Sequence, residues 1–128
     1  MERLSKKYGD AAQFLLVYIR EAHPTEDWPM RVSSSIESIN DPTSLLERQN
    51  VAESCVADLK IDIPTVIDNM DDSIAKDYKA HPDRLYVVGK DGNIKYRSGP
   101  GPMGFKPNLM EEALIAELNK IGAAVPGD

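Results

Sequence analysis

Three side chains capable of acid–base or ion-pairing chemistry stand beside strand-like segments of the chain. Glu21 and His23 follow the apolar run from Phe14 to Ile19, and Arg84 begins another apolar run. The imidazole of His23 can take up or release a proton near neutral pH, and Glu21 could orient it or bind a substrate amine. Arg84 can offer two parallel N–H donors to a carboxylate or a phenolate. The alternatives are a loop histidine bonded to a backbone carbonyl, a solvated glutamate, and a surface ion pair of the arginine with Asp83 or with an acidic helix.

Two aromatic residues and the single cysteine complete the set of candidates. Tyr18 alternates with Val17 and Ile19 in the apolar run, which favours a core ring with its hydroxyl near the site as the alternative. Trp28 lies in a polar stretch, where it would either cover an aromatic ligand or anchor the loop on the core. Cys55 lies on the apolar side of a predicted helix, with neither a helix N-terminus nor a cation beside it in sequence. We therefore interpret Cys55 as a small buried hydrophobic residue rather than a nucleophile.

The composition argues against a metal centre. Two histidines and one cysteine fall short of the roughly four ligands of a zinc site. Asp68, Asp71 and Asp72 form a carboxylate cluster, but the spacing around them is not that of an EF-hand. We interpret them as a strand end and a helix N-terminus, where acidic groups suit the helix dipole. The sequence therefore predicts no bound metal.

The segments that must position these residues alternate between strand and helix patterns. Apolar runs without alternation are typical of strands covered on both faces, and apolar residues every three or four positions indicate helices. Asp91-Gly92 between two apolar runs predicts an antiparallel hairpin, and Asp41 and Pro42 predict the N-cap and first position of a helix. The predicted order is a helix ending at Gly9, a strand over 14–19, a helix over 41–60, a strand over 64–68, a short helix over 71–79, strands over 84–88 and 94–97, and a last helix over 108–121.

Charge and length exclude several classes of partner. The net charge of -6 and the isoelectric point of about 4.9 argue against binding to nucleic acid or to an anionic membrane surface, because both need a basic face. The longest apolar run, Phe14 to Ile19, is too short to span a bilayer. With 128 residues, the chain is expected to form one domain over 1–122 with a tail over 123–128. We see no targeting signal, so a cytoplasmic location is expected.

The order of elements resembles the thioredoxin-like architecture. In that architecture a βαβ half is joined to a ββα half, and a proline in a cis peptide bond comes just before the second half. Pro64 fits this position, so we expect the Ile63–Pro64 bond to be cis; an ordinary proline at the start of a strand is the alternative. We predict an α/β fold with a mixed sheet of about four strands flanked by helices, with the first core strand missing.

Two blocks of residues resemble the iodothyronine deiodinase family. The segment from Tyr18 to His23, followed by Trp28, resembles a family motif that reads Tyr-Ile-x-Glu-Ala-His-x-x-x-x-Trp. Arg84 to Val87, followed by Gly99 to Pro102, resembles the second block of the family in the same order and at similar spacing. The resemblance extends from the first predicted helix to the last one, which is nearly the whole chain.

The resemblance implies a thioredoxin-fold selenoenzyme that removes iodide reductively from iodothyronines. It implies no cofactor other than a thiol reductant as co-substrate. His23 and Glu21 would assist proton transfer, and Arg84, Trp28 and Tyr18 would contact the small-molecule substrate. The nucleophile, a selenocysteine or the cysteine of bacterial-type relatives, would precede the first helix, and no residue of this sequence matches it. We therefore expect a truncated chain, either from a selenocysteine codon read as a stop or from deliberate trimming.

The sequence departs from the family pattern at two places. A family histidine just before the second helix is replaced by Pro42 or a neighbour, and Arg20 stands where the family has a second acidic residue. Pro64 would still shape the floor of the site. Reduction of peroxides or thiols is therefore an alternative to dehalogenation as the activity of the parent enzyme. Alternatives from another class are a non-catalytic binding module and an inactive fragment.

The missing strand leads to a prediction about strand pairing. We expect that strand to lie between 14–19 and 65–68. Without it, an ordered monomer is expected to pair these two strands directly and so restore most of the backbone hydrogen bonds. The alternatives are a second copy that supplies the missing element by swapping and a poorly folded chain. The first helix would then cover the sheet less well. Since exposed sheet surfaces and edges favour association, we expect a homodimer formed through the sheet surface that the first helix leaves uncovered.

Overall fold

The computed structural model describes residues 1–21 and 41–127 of the chain. These residues belong to two compact units: a central unit, Leu16–Pro82, and a terminal unit made of Met1–Leu15 and Asp83–Asp128. The helices and strands found among the described residues are, in chain order, α1 (Glu2–Tyr8), β1 (Leu16–Tyr18), α2 (Leu45–Asp58), β2 (Thr65–Ile67), α3 (Ser73–Asp77), β3 (Tyr86–Val88), β4 (Ile94–Arg97) and α4 (Pro107–Lys120).

The central unit is built on a parallel pair of strands. β1 and β2 pair in register from Leu16 opposite Thr65 to Tyr18 opposite Ile67. The backbone N–H of Asp68 donates to the carbonyl of Tyr18 at 2.8 Å, which extends the ladder beyond β2. The predicted direct pairing of these two strands is therefore confirmed.

The start of α2 differs from the prediction. Ser44, not Asp41, is the N-cap, and its hydroxyl accepts the backbone N–H of Glu47 at 3.2 Å. The carboxylate of Glu47 in turn accepts the backbone N–H and the hydroxyl of Thr43, at 2.8 and 2.9 Å. This reciprocal pattern is a capping box in which the carboxylate of Glu47 accepts from the residue before the N-cap rather than from the N-cap itself. It gives acceptors to the N–H groups at the start of the helix, which a helix beginning at Pro42 would leave to other partners.

The terminal unit contains the predicted hairpin. β3 and β4 pair in antiparallel orientation with a register irregularity between Val87 and Val88. Gly92 has a φ of +80°, a left-handed conformation that glycine adopts without steric cost. The carboxylate of Asp91 accepts the backbone N–H of Asn93 and the ammonium of Lys95, which closes the turn. The hairpin prediction is confirmed.

The core of the terminal unit brings together residues from both ends of the chain. Its buried side chains come from α1, from β3 with the residue before it, and from α4: Leu4, Tyr8, Leu85, Val87, Met110, Leu114 and Leu118. Ala123 and Val125, which were expected in a tail, pack against this core. Tyr8 also donates its hydroxyl to the carboxylate of Glu111 at 2.8 Å. Both α1 and the end of the chain are therefore held on α4 and the hairpin.

The expected cis bond at Pro64 is wrong. Among the described residues, the cis peptide bonds are His81–Pro82 and Gly101–Pro102. The carbonyl of Pro64 accepts the backbone N–H of Leu16 at 2.9 Å, so this proline simply leads into β2. A proline at the start of a strand needs no ladder donor, and the trans form is favoured where nothing enforces cis. Pro64 is also exposed, which does not suit the floor of a site.

The predicted α/β class is confirmed. The described strands are hydrogen-bonded in two pairs, β1 with β2 and β3 with β4, where the sequence predicted one mixed sheet. Within the described parts of the chain, none of the helices has the length and apolar character needed to cross a membrane.

Candidate functional site

The carboxyl ends of β1 and β2 meet at one edge of the central unit. Tyr18 and Ile67, the last residues of the two strands, lie opposite each other. In α/β proteins this edge is where ligand and catalytic sites form, because the strands end there and loops follow. Glu21 comes three residues after Tyr18. We call this group of residues the strand-end site: Tyr18, Glu21, and the two residues whose charges act on the pKa of Glu21, which are Asp41 and Arg48.

Asp68 holds the turn that follows β2. Its carboxylate is completely buried and accepts three backbone N–H groups: Asn69 at 2.9 Å, Ile74 at 3.0 Å and Ala75 at 2.9 Å. The last two donors belong to the first turn of α3, where an anion complements the helix dipole. The interpretation of Asp68 as a residue at a strand end, next to a helix N-terminus, is confirmed. Both of its carboxylate oxygens accept hydrogen bonds from the turn and the helix that follow β2.

Arg48 is a functional candidate that the sequence interpretation missed. Its side chain is 3% exposed, although it lies on α2. Its guanidinium donates to the carbonyls of Asp68 and Asn69, at 3.2 and 2.7 Å, and pairs with the carboxylate of Asp72 at 3.0 Å. A signal was present in the sequence, because Arg48 falls between Leu45 and Ala52 on the apolar stripe of this helix. A charged residue at such a position is rarely buried unless it is paired.

The carboxyl group of Glu21 is held in an environment that favours its protonated form. Burial raises the pKa of Glu21, the negative charge of Asp41 raises it further, and the positive charge of Arg48 opposes both. Two other groups of this site are buried without a hydrogen-bond partner among the described residues: the hydroxyl of Tyr18 and one carboxylate oxygen of Asp41. The strand-end site therefore combines a carboxyl suited to hold a proton with polar atoms that have unused hydrogen-bonding capacity.

The surroundings of Cys55 disfavour the thiolate form of its side chain. Its thiol is half-buried rather than fully buried, on the same helix as Arg48. Burial raises the pKa of Cys55, and the negative charges of Glu21 and Asp58 raise it further. A reactive cysteine needs the opposite environment, because the thiolate is the attacking species.

Arg84 has a structural contact in the terminal unit. Its guanidinium donates to the backbone carbonyl of Ser98 at 2.9 Å. The buried hydroxyl of Ser98 accepts the backbone N–H of Leu85 at 2.9 Å and donates to the carbonyl of Gly99 at 2.8 Å. Arg84 is thus held at the entry to the hairpin.

The predicted convergence of His23, Glu21 and Arg84 on one cleft stays a prediction. His23 and Trp28 lie outside the described residues, while Glu21 belongs to the central unit and Arg84 to the terminal unit. What the structure adds is the set of charges that act on the pKa of Glu21, those of Asp41 and Arg48, which belong to the central unit as Glu21 does.

Fold and site together define an α/β protein of thioredoxin-like type with a half-buried carboxyl group, that of Glu21, shortly after a parallel strand. Comparison with known proteins identifies the family within this class to which the chain belongs. The family model of iodothyronine deiodinase matches residues 1–117, and the chain therefore belongs to that family.

Vertebrate members of the family are similar over most of this chain. A thyroxine 5-deiodinase of Sparus aurata is 38% identical over 106 residues, which are 82% of this chain and 38% of that protein. A thyroxine 5-deiodinase of Gallus gallus is 36% identical over 104 residues, 81% of this chain and 39% of that protein. A type I iodothyronine deiodinase of Xenopus laevis is 31% identical over 109 residues, 82% of this chain and 40% of that protein. The chain thus spans less than half the length of these relatives.

Proposed function

We propose that this chain is the proton-supplying and substrate-contacting part of a deiodinase-type oxidoreductase. The observation that supports this most directly is the position of Glu21. In this proposal Glu21 is the acid–base group after the first strand of the central unit, and the role is supported by burial and the charge of Asp41, which raise the pKa of its carboxyl. A carboxyl with a raised pKa is what a general acid near neutral pH requires.

The proposed reaction is the reductive removal of iodide from an iodothyronine. A selenolate or thiolate nucleophile takes the iodine, the carbon–iodine bond breaks, and the ring carbon that keeps the bonding electrons takes one proton. Two equivalents of a thiol reductant then restore the nucleophile, release iodide and leave as a disulfide. His23 and Glu21 supply the proton, Arg84 contacts the carboxylate or phenolate of the substrate, and Trp28 covers its aromatic rings.

The nucleophile of this reaction is proposed to lie outside the 128 residues. Cys55 is the one cysteine of the chain, and its surroundings disfavour the thiolate. Attack on the substrate needs a deprotonated selenium or sulfur atom, which no group at the strand-end site supplies.

A non-catalytic binding module is the second candidate. Arg20 and Pro42 replace residues that the family pattern has beside the motif and before the second helix. Both changes weaken the case for iodothyronine as the substrate, while the fold and the strand-end site would still bind a small molecule. Peroxide reduction through the same nucleophile is the corresponding alternative among enzymes.

Turnover assays separate these proposals. Iodide release from thyroxine and consumption of hydrogen peroxide are measured with dithiothreitol as reductant, for this chain and for a chain extended by the residues encoded directly upstream of Met1. We expect no turnover from the 128-residue chain or its Cys55→Ser variant, and turnover from the extended chain that is lost in His23→Ala.

Each other outcome has a definite meaning. Turnover by the 128-residue chain that disappears in Cys55→Ser would show that this thiol is the nucleophile. An extended chain that binds thyroxine but turns over neither compound supports the binding module, and peroxide consumption alone supports the alternative enzyme.

A further inference from the structure

We propose that Arg48 is a positioning residue: it fixes the carboxyl ends of β1 and β2 against each other, and so sets the point from which the residues after β1 leave the sheet. The proposal is carried by hydrogen bonds within the central unit. Its meaning for catalysis rests on the proposed function, in which Glu21 and His23 supply a proton.

The connection between Arg48 and β1 passes through a single residue, Asp68. The guanidinium of Arg48 donates to the carbonyl of Asp68 at 3.2 Å, and the backbone N–H of Asp68 donates to the carbonyl of Tyr18 at 2.8 Å. Tyr18 is the last residue of β1, and Asp68 directly follows the last residue of β2. Two hydrogen bonds that share one residue therefore join α2 to the ends of both strands.

The turn between β2 and α3 is held through its donors and through its acceptors. The carboxylate of Asp68 accepts N–H groups of this turn and of α3. A carboxylate has no donor for the carbonyls of the turn, and among the described residues the side chain that binds them is Arg48, which also donates to the carbonyl of Asn69 at 2.7 Å. Asp68 and Arg48 therefore make complementary contributions, and neither can replace the other.

Arg48 also binds the far end of the same turn. Asp72 has a φ of 56°, in the left-handed region that few residues other than glycine adopt, and it is the residue before α3. Its N–H donates to the carbonyl of Asn69 at 2.9 Å, and its carboxylate accepts the guanidinium of Arg48 at 3.0 Å. One guanidinium thus holds both the beginning and the end of a turn whose backbone conformation needs support from its surroundings.

Stability alone does not account for an arginine at this position. The side chain is 3% exposed, and its Nε is buried without a partner among the described residues. Removal of a guanidinium from water is costly, and an apolar residue of similar volume on the apolar stripe of α2 often gives equal or greater stability. An apolar residue cannot supply several directed N–H groups from one planar fork, whereas Arg48 uses its fork on three acceptors. The role that remains is to fix positions.

The proposed reaction depends on such fixed positions. Glu21 lies three residues and His23 five residues after Tyr18, so the end of β1 sets where both side chains begin. A shift of about 1 Å in a group that transfers a proton can reduce the rate by about a hundredfold. Arg48 acts on these groups through Asp68 and Tyr18, without contact with the substrate.

The test is hydrogen exchange of single backbone amides, measured by NMR in the 128-residue chain. The N–H of Asp68 reports on the bond to Tyr18, and the N–H of Leu16, which donates to the carbonyl of Pro64 at 2.9 Å, reports on the other end of the strand pair. In Arg48→Met we expect exchange at Asp68 to accelerate by about tenfold more than exchange at Leu16, because the strand ends open locally.

Two further variants separate the fork of Arg48 from its charge. Arg48→Lys keeps the charge but offers no planar fork, so it should show most of the selective acceleration at Asp68. Arg97→Met, at an exposed position of β4, makes the same change in net charge as Arg48→Met and should alter neither exchange rate.

The outcomes distinguish positioning from a contribution to overall stability. A lower melting temperature with equal acceleration at Asp68 and Leu16 is what overall stability predicts, and that result would overturn the proposal. If Arg48→Met does not fold, the same comparison is made in Arg48→Lys, where equal acceleration at the two amides overturns it as well.

Activity of the extended chain tests the catalytic meaning separately. We expect Arg48→Met to lower kcat for iodide release by about tenfold or more, with a smaller change in KM, because misplaced groups affect the transition state more than binding. An unchanged kcat would overturn the catalytic part of the proposal. No turnover from the unmodified extended chain would contradict the proposed function instead, and the exchange rates would still decide whether Arg48 positions the strand ends.

Discussion

Tyr18 and Glu21 illustrate, at the scale of single residues, how a site can oppose stability. The hydroxyl of Tyr18 is buried and has no hydrogen-bond partner among the described residues. A phenylalanine at this position would bury the same ring without a hydroxyl that needs a hydrogen-bond partner. Ionisation of the half-buried Glu21 is likewise disfavoured, by burial and by the negative charge of Asp41. Both residues stand in the segment that resembles the deiodinase motif, so their placement is understandable if it serves binding or catalysis.

The raised pKa of Glu21 predicts how stability depends on pH at this position. Because burial and Asp41 raise its pKa above the ordinary value of 4.5, the folded state binds more protons than the unfolded state between the two values. Stability is therefore fully present below the ordinary value and falls as pH rises through the raised one. Glu21→Gln does not titrate, so its melting temperature relative to wild type should increase from pH 4 to pH 8.

Thermal unfolding followed by circular dichroism measures this difference. Glu112→Gln, which removes an exposed carboxyl from α4, is the control and should show no comparable trend. A constant or shrinking difference between Glu21→Gln and wild type would contradict the assignment of a strained carboxyl at Glu21.

At the scale of elements, the start of α2 decides where the strand-end site is assembled. The helix begins at Leu45 because Ser44 and Glu47 satisfy the first N–H groups, and Asp41 stays outside the helix. Asp41 therefore does not cap the helix, although its position in the sequence predicted that it would. Its negative charge instead raises the pKa of Glu21. The choice of Ser44 as the N-cap therefore decides whether Asp41, three positions earlier, caps the helix or remains outside it.

Loss of this cap should be measurable. We expect Ser44→Ala to lower the free energy of unfolding by about 1 kcal/mol, because the N–H of Glu47 loses its acceptor. Ser44→Thr retains an acceptor oxygen and should lose clearly less. Urea unfolding at neutral pH provides both values. Equal losses in the two variants would indicate that the hydroxyl of Ser44 does not cap α2.

At the scale of the whole molecule, the terminal unit depends on a contact between distant parts of the chain. The hydroxyl of Tyr8 donates to Glu111 at 2.8 Å, across 103 positions of sequence. Arg3 and Lys7 also reach this carboxylate, at 2.8 and 3.4 Å. The hydrogen bond from Tyr8 is the largest influence that lowers the pKa of Glu111, followed by the hydrogen bond from Arg3. α1 is thus attached to α4 by a polar cluster at the border of an apolar core.

Removal of the Tyr8 hydroxyl tests this attachment. Tyr8→Phe keeps the buried ring but removes a donor to a charged acceptor, so we expect a loss of about 1–2 kcal/mol in the free energy of unfolding. Tyr96→Phe is a matched control, because Tyr96 packs on the same core. Urea unfolding of both variants should show the larger loss in Tyr8→Phe, and equal losses would mean that the hydrogen bond contributes no net stability.

The sequence by itself determined the parts of this protein that depend on neighbouring residues. Apolar spacing predicted the helices and strands, and Asp91-Gly92 predicted the hairpin. Each of these is a preference of residues close together in sequence, so it can be inferred from the chain alone. The direct pairing of β1 with β2 was predicted in another way, from the central strand that the thioredoxin-like architecture has and this sequence lacks.

The tertiary structure decided what depends on residues far apart in sequence. The trans bond at Pro64, the burial of Arg48 and the influence of Asp41 on the pKa of Glu21 were not predicted. An arginine on a helix is ordinarily a surface residue, and only the carbonyls of Asp68 and Asn69 with the carboxylate of Asp72 make its burial favourable. These acceptors lie 20–24 positions further along the chain. The charge that acts on Glu21 is therefore a property of the folded central unit, because the free energy of a buried ion depends on partners that only folding brings together.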